Sequence, residues 1–266
     1  MAKAPITITQ DPKNPKNITV KLTDVPLAFA DDVFEAKQGS NDDGSPRPEF
    51  TTSVNVLLDK ETDAGKAQIE GIKQAMRMAR DAEWAPQNGK PGVSIAANCY
   101  CLQDGEPVDP GTGERAARWA GYEGKMYLAP KKYLKAKTQE AADREMREKP
   151  PVQILGPTKS AIDAQGKPCF PTLKKEDDLI YSGAVTDVIL QIWPYNGVGK
   201  KPGGGNHPNR INASLECIKF VRHGERMGGG TRIDANSAFD EEDGDEVDVG
   251  GGSAAQEPAD EMDALG

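Results

Sequence analysis

A chain of 266 residues suits one large domain or two small ones and is ample for a packed core. Hydrophobic residues make up only 36%, no apolar run approaches the roughly 20 residues that span a bilayer, and Met1-Ala2-Lys3-Ala4-Pro5 lacks the apolar core of a signal peptide. The net charge of −9 is unevenly placed: Asp234 to Gly266 holds 12 acidic residues and no Lys or Arg, so the preceding residues carry 33 basic against 30 acidic side chains (42 less 12), a net of +3. These features set aside a membrane role and predict a cytoplasmic protein. A mildly basic body joined to an acidic tail points towards nucleic acid as partner.

In chain order, the opening residues are rich in Pro, Lys and Asn. They read as a loose arm, with the domain beginning at about residue 15. Ile18 to Leu22 and Val25 to Ala30 read as two strands. Gln38 to Pro48 is turn-rich, and Phe50 to Leu58 is one strand. Ala67, Ile69, Ile72, Ala75, Met76 and Ala79 recur at spacings of three and four, with Thr62 or Asp63 as N-cap and Pro86 beyond the end. An amphipathic helix over about 63–83 is expected.

Residues 87–118 carry turn signals. Met126 to Leu128 is a short strand, Thr138 to Arg147 has helical composition, Val152 to Leu155 is a further strand, and Ala161 to Lys175 is a loop. The β signal is clearest in Ala184 to Tyr195 and Arg210 to Arg222, two long β-branched runs around the basic, glycine-rich loop Asn196 to Asn209. They predict a β-hairpin. Several strands and one or two helices make a small antiparallel barrel with long insertions. After residue 228 the chain has too little apolar content to offset the entropy of ordering, and 229–266 is expected to be a disordered acidic tail.

Catalytic chemistry finds little support. Cys99, Cys101, Cys169 and Cys217 lack paired zinc spacing, His207 and His223 are isolated, and the four cysteines read as thiols. Gly197-Val198-Gly199-Lys200-Lys201 lacks the frame and the Ser or Thr of a phosphate-binding loop. No nucleophile motif is present, and the dense carboxylates lie in the tail, which cannot hold metal ions rigidly. No cofactor is expected.

Single-strand binding needs cations for phosphates and flat rings for bases. Aromatics are only 6% of the chain, yet many stand beside Lys or Arg. The candidate DNA contacts are Trp119, Tyr122, Lys125 and Tyr127 in one segment, and Trp193, Tyr195, Lys200, Lys201, Arg210, Lys219 and Arg222 on the hairpin. Core packing for the rings and solvated charge for the cations are the competing roles at each position.

Tyr181-Ser182-Gly183-Ala184-Val185, Ile192-Trp193-Pro194-Tyr195-Asn196 and Arg210 to Glu225, with its Lys219-Phe220-Val221-Arg222-His223-Gly224-Glu225, resemble a family of tailed-phage single-stranded-DNA-binding proteins. Trp119 to Tyr133 resembles a segment of the same family. The resemblance implies a mainly β, OB-fold-like five-stranded barrel over 15–228, sequence-independent binding of single strands, and a role in replication and recombination. It also implies an acidic tail that contacts replication proteins such as polymerase and helicase or primase. An acidic segment tethered to a basic groove would compete with DNA at high effective concentration. The ending Asp263-Ala264-Leu265-Gly266 departs from the aromatic terminus frequent in such proteins. The protein is expected to act as a monomer or a dimer. Two rival functions remain at this point, a metal-dependent nucleic-acid-processing enzyme and a phage structural or assembly protein.

Overall fold

A computed structural model describes residues 3–40, 44–109, 112–199 and 206–227. Its spine is three long strands. β2 (Ile18–Ala28) buries Ile18, Val20 and Leu22 on one face. Asp24 then adopts a left-handed φ of 55°, and the pairing with β12 (Val185–Tyr195) skips there, from Val188 opposite Leu22 to Thr186 opposite Val25. Two residues of β2, Thr23 and Asp24, thus oppose Asp187 in a β-bulge. The bulge re-aims the strand so that Val25 and Leu27 also face the core. The two strands expected from the sequence are therefore one strand bent at Asp24. β12 pairs along its full length with β13 (Arg210–Arg222), in the expected hairpin, with two further irregularities where Val221 and Glu216 are left out of the register.

On the other side, β2 pairs with β5 (Asn55–Asp59), β5 with β7 (Lys125–Leu128), and β7 with β6 (Leu102–Asp104). β9 (Gln153–Leu155) adds in parallel beyond β13, and β10 (Ala161–Ile162) pairs with β11 (Pro168–Cys169) in a short ribbon within the stretch expected as a loop. A parallel bridge between Tyr100, just before β6, and Ile211 of β13 brings the β6 edge of this sheet to β13, next to the opposite edge. The architecture is mainly β and OB-like, with two helices and long connections, and its interior is filled by alternating Val, Ile and Leu.

α1 (Asp63–Glu83) occupies the span expected for it. The Thr62 hydroxyl accepts the Gly65 N–H at 3.1 Å as N-cap, and Ile69, Ile72, Ala75, Met76 and Ala79 face the strands. The expectation of a loose arm over 1–14 is corrected: β1 (Ile6–Gln10) pairs antiparallel with Ile18–Leu22. The alternating Ile6-Thr7-Ile8-Thr9 supplies an apolar face, and Gly71 on α1 leaves room for Ile6, whose Cδ1 would lie 2.5 Å from a Cβ at that glycine. The strand expected over 50–58 divides at Val54. β4 (Pro46–Ser53) joins β3 (Lys37–Ser40) and β8 (Lys131–Tyr133) in a separate small sheet, and α2 (Gln139–Glu148) covers it through Ala142 against Phe50 and Leu134.

Candidate nucleic-acid interface

Alternation along β12 turns Val188, Leu190 and Ile192 inward and leaves Gln191, Trp193 and Tyr195 half-buried on the outer face. Across the hairpin, Trp193 stands opposite Asn212 and Tyr195 opposite Arg210, which is exposed. The Trp193 indole N–H donates to the Ser214 hydroxyl at 3.0 Å, which fixes the ring against the sheet. The loop leaves the strands through a pinned neck. Gly197 N–H donates to Asn209 Oδ1 at 3.0 Å, Val198 N–H to Asn196 Oδ1 at 3.1 Å, and Gly199 N–H to Asn206 Oδ1 at 2.9 Å. A Cβ on Gly197 would come within 2.0 Å of the His207 carbonyl oxygen, so the neck closes on bare backbone. Lys200 and Lys201, expected as phosphate contacts, lie outside the described residues.

A second aromatic group sits at the other end of β2. Trp119 packs edge to face on Tyr122 (5.0 Å between centroids), on Tyr127 (5.9 Å) and on Phe29 (5.3 Å). The Arg118 guanidinium lies 5.7 Å from the Trp119 ring centre and 5.9 Å from that of Tyr127. Tyr122 is 1% exposed and its hydroxyl accepts from Asn55 Nδ2 at 2.6 Å; Tyr127 is 6% exposed. Neither ring presents a face to a base, so these two are supports rather than contacts. Trp119 and Phe29 are exposed. Sequence reasoning missed Phe29, which lies within an apolar run and carries no cationic neighbour to mark it.

The cations expected on strands differ in availability. Lys125 pairs with Asp59. With the backbone N–H groups of Glu61 and Thr62 it holds the Asp59 carboxyl below the usual carboxylate range despite burial. Lys219 lies 2.9 Å from Asp187 Oδ2 and 5.4 Å from the Phe170 ring centre. Burial would raise the Asp187 carboxyl, but the Lys219 hydrogen bond, the Asp24 N–H and the charges of Lys219 and Lys3 outweigh it and leave the group below its ordinary value. Arg222 is exposed at the end of β13, opposite Val185. The described candidates therefore do not form one cluster: Trp193, Tyr195 and Arg210 lie towards the Ile18 end of β2, Trp119, Tyr122, Lys125 and Tyr127 at its Ala28 end, and Lys219 and Arg222 on β13 between the bulge and that second end.

The segments that carry the family resemblance have a structural use of their own. The Tyr181 hydroxyl accepts the Gly224 N–H at 3.1 Å and donates to the Gly224 carbonyl oxygen at 3.0 Å. Arg226 stacks 4.0 Å from the Tyr181 ring centre. Gly183 has a φ of 107°, and a Cβ there would meet the Glu225 carbonyl oxygen at 1.8 Å. Tyr181-Ser182-Gly183 and His223-Gly224-Glu225 thus clasp the entry of β12 to the exit of β13.

Among the described residues no group of His, Cys, Asp and Glu is placed to hold a metal ion, and no helix is long and apolar enough to cross a membrane. Cys99, Cys101, Cys169 and Cys217 are free, and burial pushes the Cys101 thiol up to about 12.

Fold and surface together define an OB-like β-protein that displays aromatic rings beside cations. The chain belongs to the family described as Enterobacter phage Enc34, ssDNA-binding protein, whose model matches residues 18–249. Among solved structures it is similar to the single-stranded DNA-binding protein from bacteriophage Enc34 in complex with ssDNA, at 15% identity and a TM-score of 0.48, over 84% of this chain and 98% of that one. It is also similar to gp2.5, a single-stranded DNA binding protein encoded by bacteriophage T7, at 13% identity and a TM-score of 0.38, over 90% of this chain and 98% of that one. No curated protein matches the chain.

Proposed function

We propose that this protein binds single-stranded DNA without sequence preference during phage DNA replication and recombination, by binding alone and with no cofactor. Membership in a phage ssDNA-binding family supports the ligand. The observation that carries the site is the outer face of the β12–β13 hairpin, where Trp193 and Tyr195 stand two residues apart on one face with Arg210 directly across. A base stacked on such a ring is worth roughly 1–3 kcal/mol whatever its identity, because every base has a π face. Lys200 and Lys201, in the loop between the strands, would take phosphates, as would Arg210 and, further along β13, Arg222. Lys219 and Lys125 enter only if DNA draws them from Asp187 and Asp59.

The tail has a role that follows from charge. Its 12 acidic residues imitate a phosphate chain and compete with DNA for the basic surface. Once displaced, they are free to engage replication proteins such as polymerase, helicase or primase. The protein acts in the cytoplasm of the infected host.

The test of the site is the double variant W193A/Y195A. Affinity for oligo-dT should fall by tenfold or more, as expected for the loss of about 2 kcal/mol of stacking. Unchanged affinity in a variant that folds would remove the hairpin face from the interface.

A further inference from the structure

Phe29 and Trp119 are large apolar side chains left 43% and 41% exposed while in contact with each other. Phe29 also holds a left-handed φ of 52°, a conformation that bulky residues rarely adopt and that tends to mark functional positions. The buried rings of Tyr122 and Tyr127 fix Trp119 from behind. Arg118 leans over this group and makes no ion pair among the described residues, unlike Lys125 nearby.

The location matters as much as the composition. The rings cover Leu57 and Ala28 in a cluster separate from the main core, which holds Val56, Leu58 and Leu27. Leu57 and Ala28 therefore point outward, onto the same outer surface as Trp193 and Tyr195. Pairing of β2 with β12 sets Ile18 against Ile192 and Pro26 against Val185. The Phe29–Trp119 group thus lies on the order of 40 Å of strand away from Tyr195. Lys21, exposed and opposite Ile189, lies between them.

We propose that Phe29, Trp119 and Arg118 form a second stacking station, which takes a base and its phosphate from the same DNA strand that Trp193 and Tyr195 hold at the far end of the barrel. The inference rests on the single-strand function above and deepens it, because it makes binding depend on strand length. A short oligonucleotide is held at the hairpin end, where Arg210 and the loop lysines add charge. A longer one reaches both stations.

The experiment is a length series of oligo-dT, about 5 to about 16 nucleotides, against the full chain and two double variants. F29A/W119A should weaken binding of the longest oligomer by about tenfold or more and leave the shortest within about twofold. W193A/Y195A should weaken both. Because F29A/W119A opens the cluster over Leu57, R118Q serves beside it. It should lower the salt slope by about one contact for long oligomers alone. Equal losses at all lengths, or none at any length, would overturn the second station even if W193A/Y195A confirms the hairpin. Failure of wild-type protein to bind any oligo-dT would sink both assignments. Loss of short-oligomer binding in F29A/W119A alone would sink the hairpin site and the two-station arrangement with it.

Discussion

Gly183 is held in a backbone conformation that L side chains avoid, with the Glu225 carbonyl oxygen where a Cβ would stand. G183A should therefore cost about 2 kcal/mol or more in a urea titration, through strain and the opened clasp; a wild-type midpoint would contradict that role. Asp187 has a folded-state pKa below its ordinary value. A depressed carboxyl contributes stability that is complete above the unfolded pKa of about 4 and is lost as pH falls through the folded value. D187N should be less stable at neutral pH and should show a shallower decline below about pH 4. An acid decline as steep as wild type would mean that other carboxylates carry the dependence. At this scale the sequence was half legible. Trp119 stands out in sequence through its neighbour Arg118, and its ring is exposed. Tyr122 and Tyr127 had the same kind of neighbours yet are buried, because their rings back Trp119. Adjacency to a cation in sequence does not say which way a ring points.

The pinned neck of the hairpin loop is a property of the whole element. Asn196, Asn206 and Asn209 hold the backbone N–H groups of Val198, Gly199 and Gly197, so the loop that carries Lys200 and Lys201 springs from a fixed base. N209A removes an acceptor worth about 1 kcal/mol. Binding of oligo-dT should weaken several-fold if the neck contributes to the interface, and unchanged affinity would show that it does not. The hairpin itself was readable because its β-branched runs are long, and α1 because apolar residues recur at helical spacing behind a threonine cap. β1 was not, since five residues among prolines, lysines and asparagines carry too little pattern without β2 and Gly71 beside them. The bulge at Asp24 was equally hidden. A break in alternation looks like the end of a strand until Asp187 is seen to accept the Asp24 N–H.

For the whole molecule, charge and topology act together. The body is only mildly basic, at +3, so the proposed binding leans on stacking more than on bulk charge. Deleting 234–266 raises the net charge from −9 to +3. This variant should bind single strands more tightly than the full chain, with the gap widest at low salt, where charge competition is least screened. Equal affinities at every salt concentration would show that the tail does not compete. The barrel was legible as a class from strand count and turn spacing. Its near closure through the Tyr100–Ile211 bridge was not, because it joins residues far apart in sequence with no pattern of their own. The most direct measurement is a mobility-shift titration of the full-length protein with single-stranded and double-stranded DNA of the same length. The account predicts tighter binding to the single strand across sequences, weakening steeply as salt rises. Equal affinity for the duplex, or no binding to either, would contradict it.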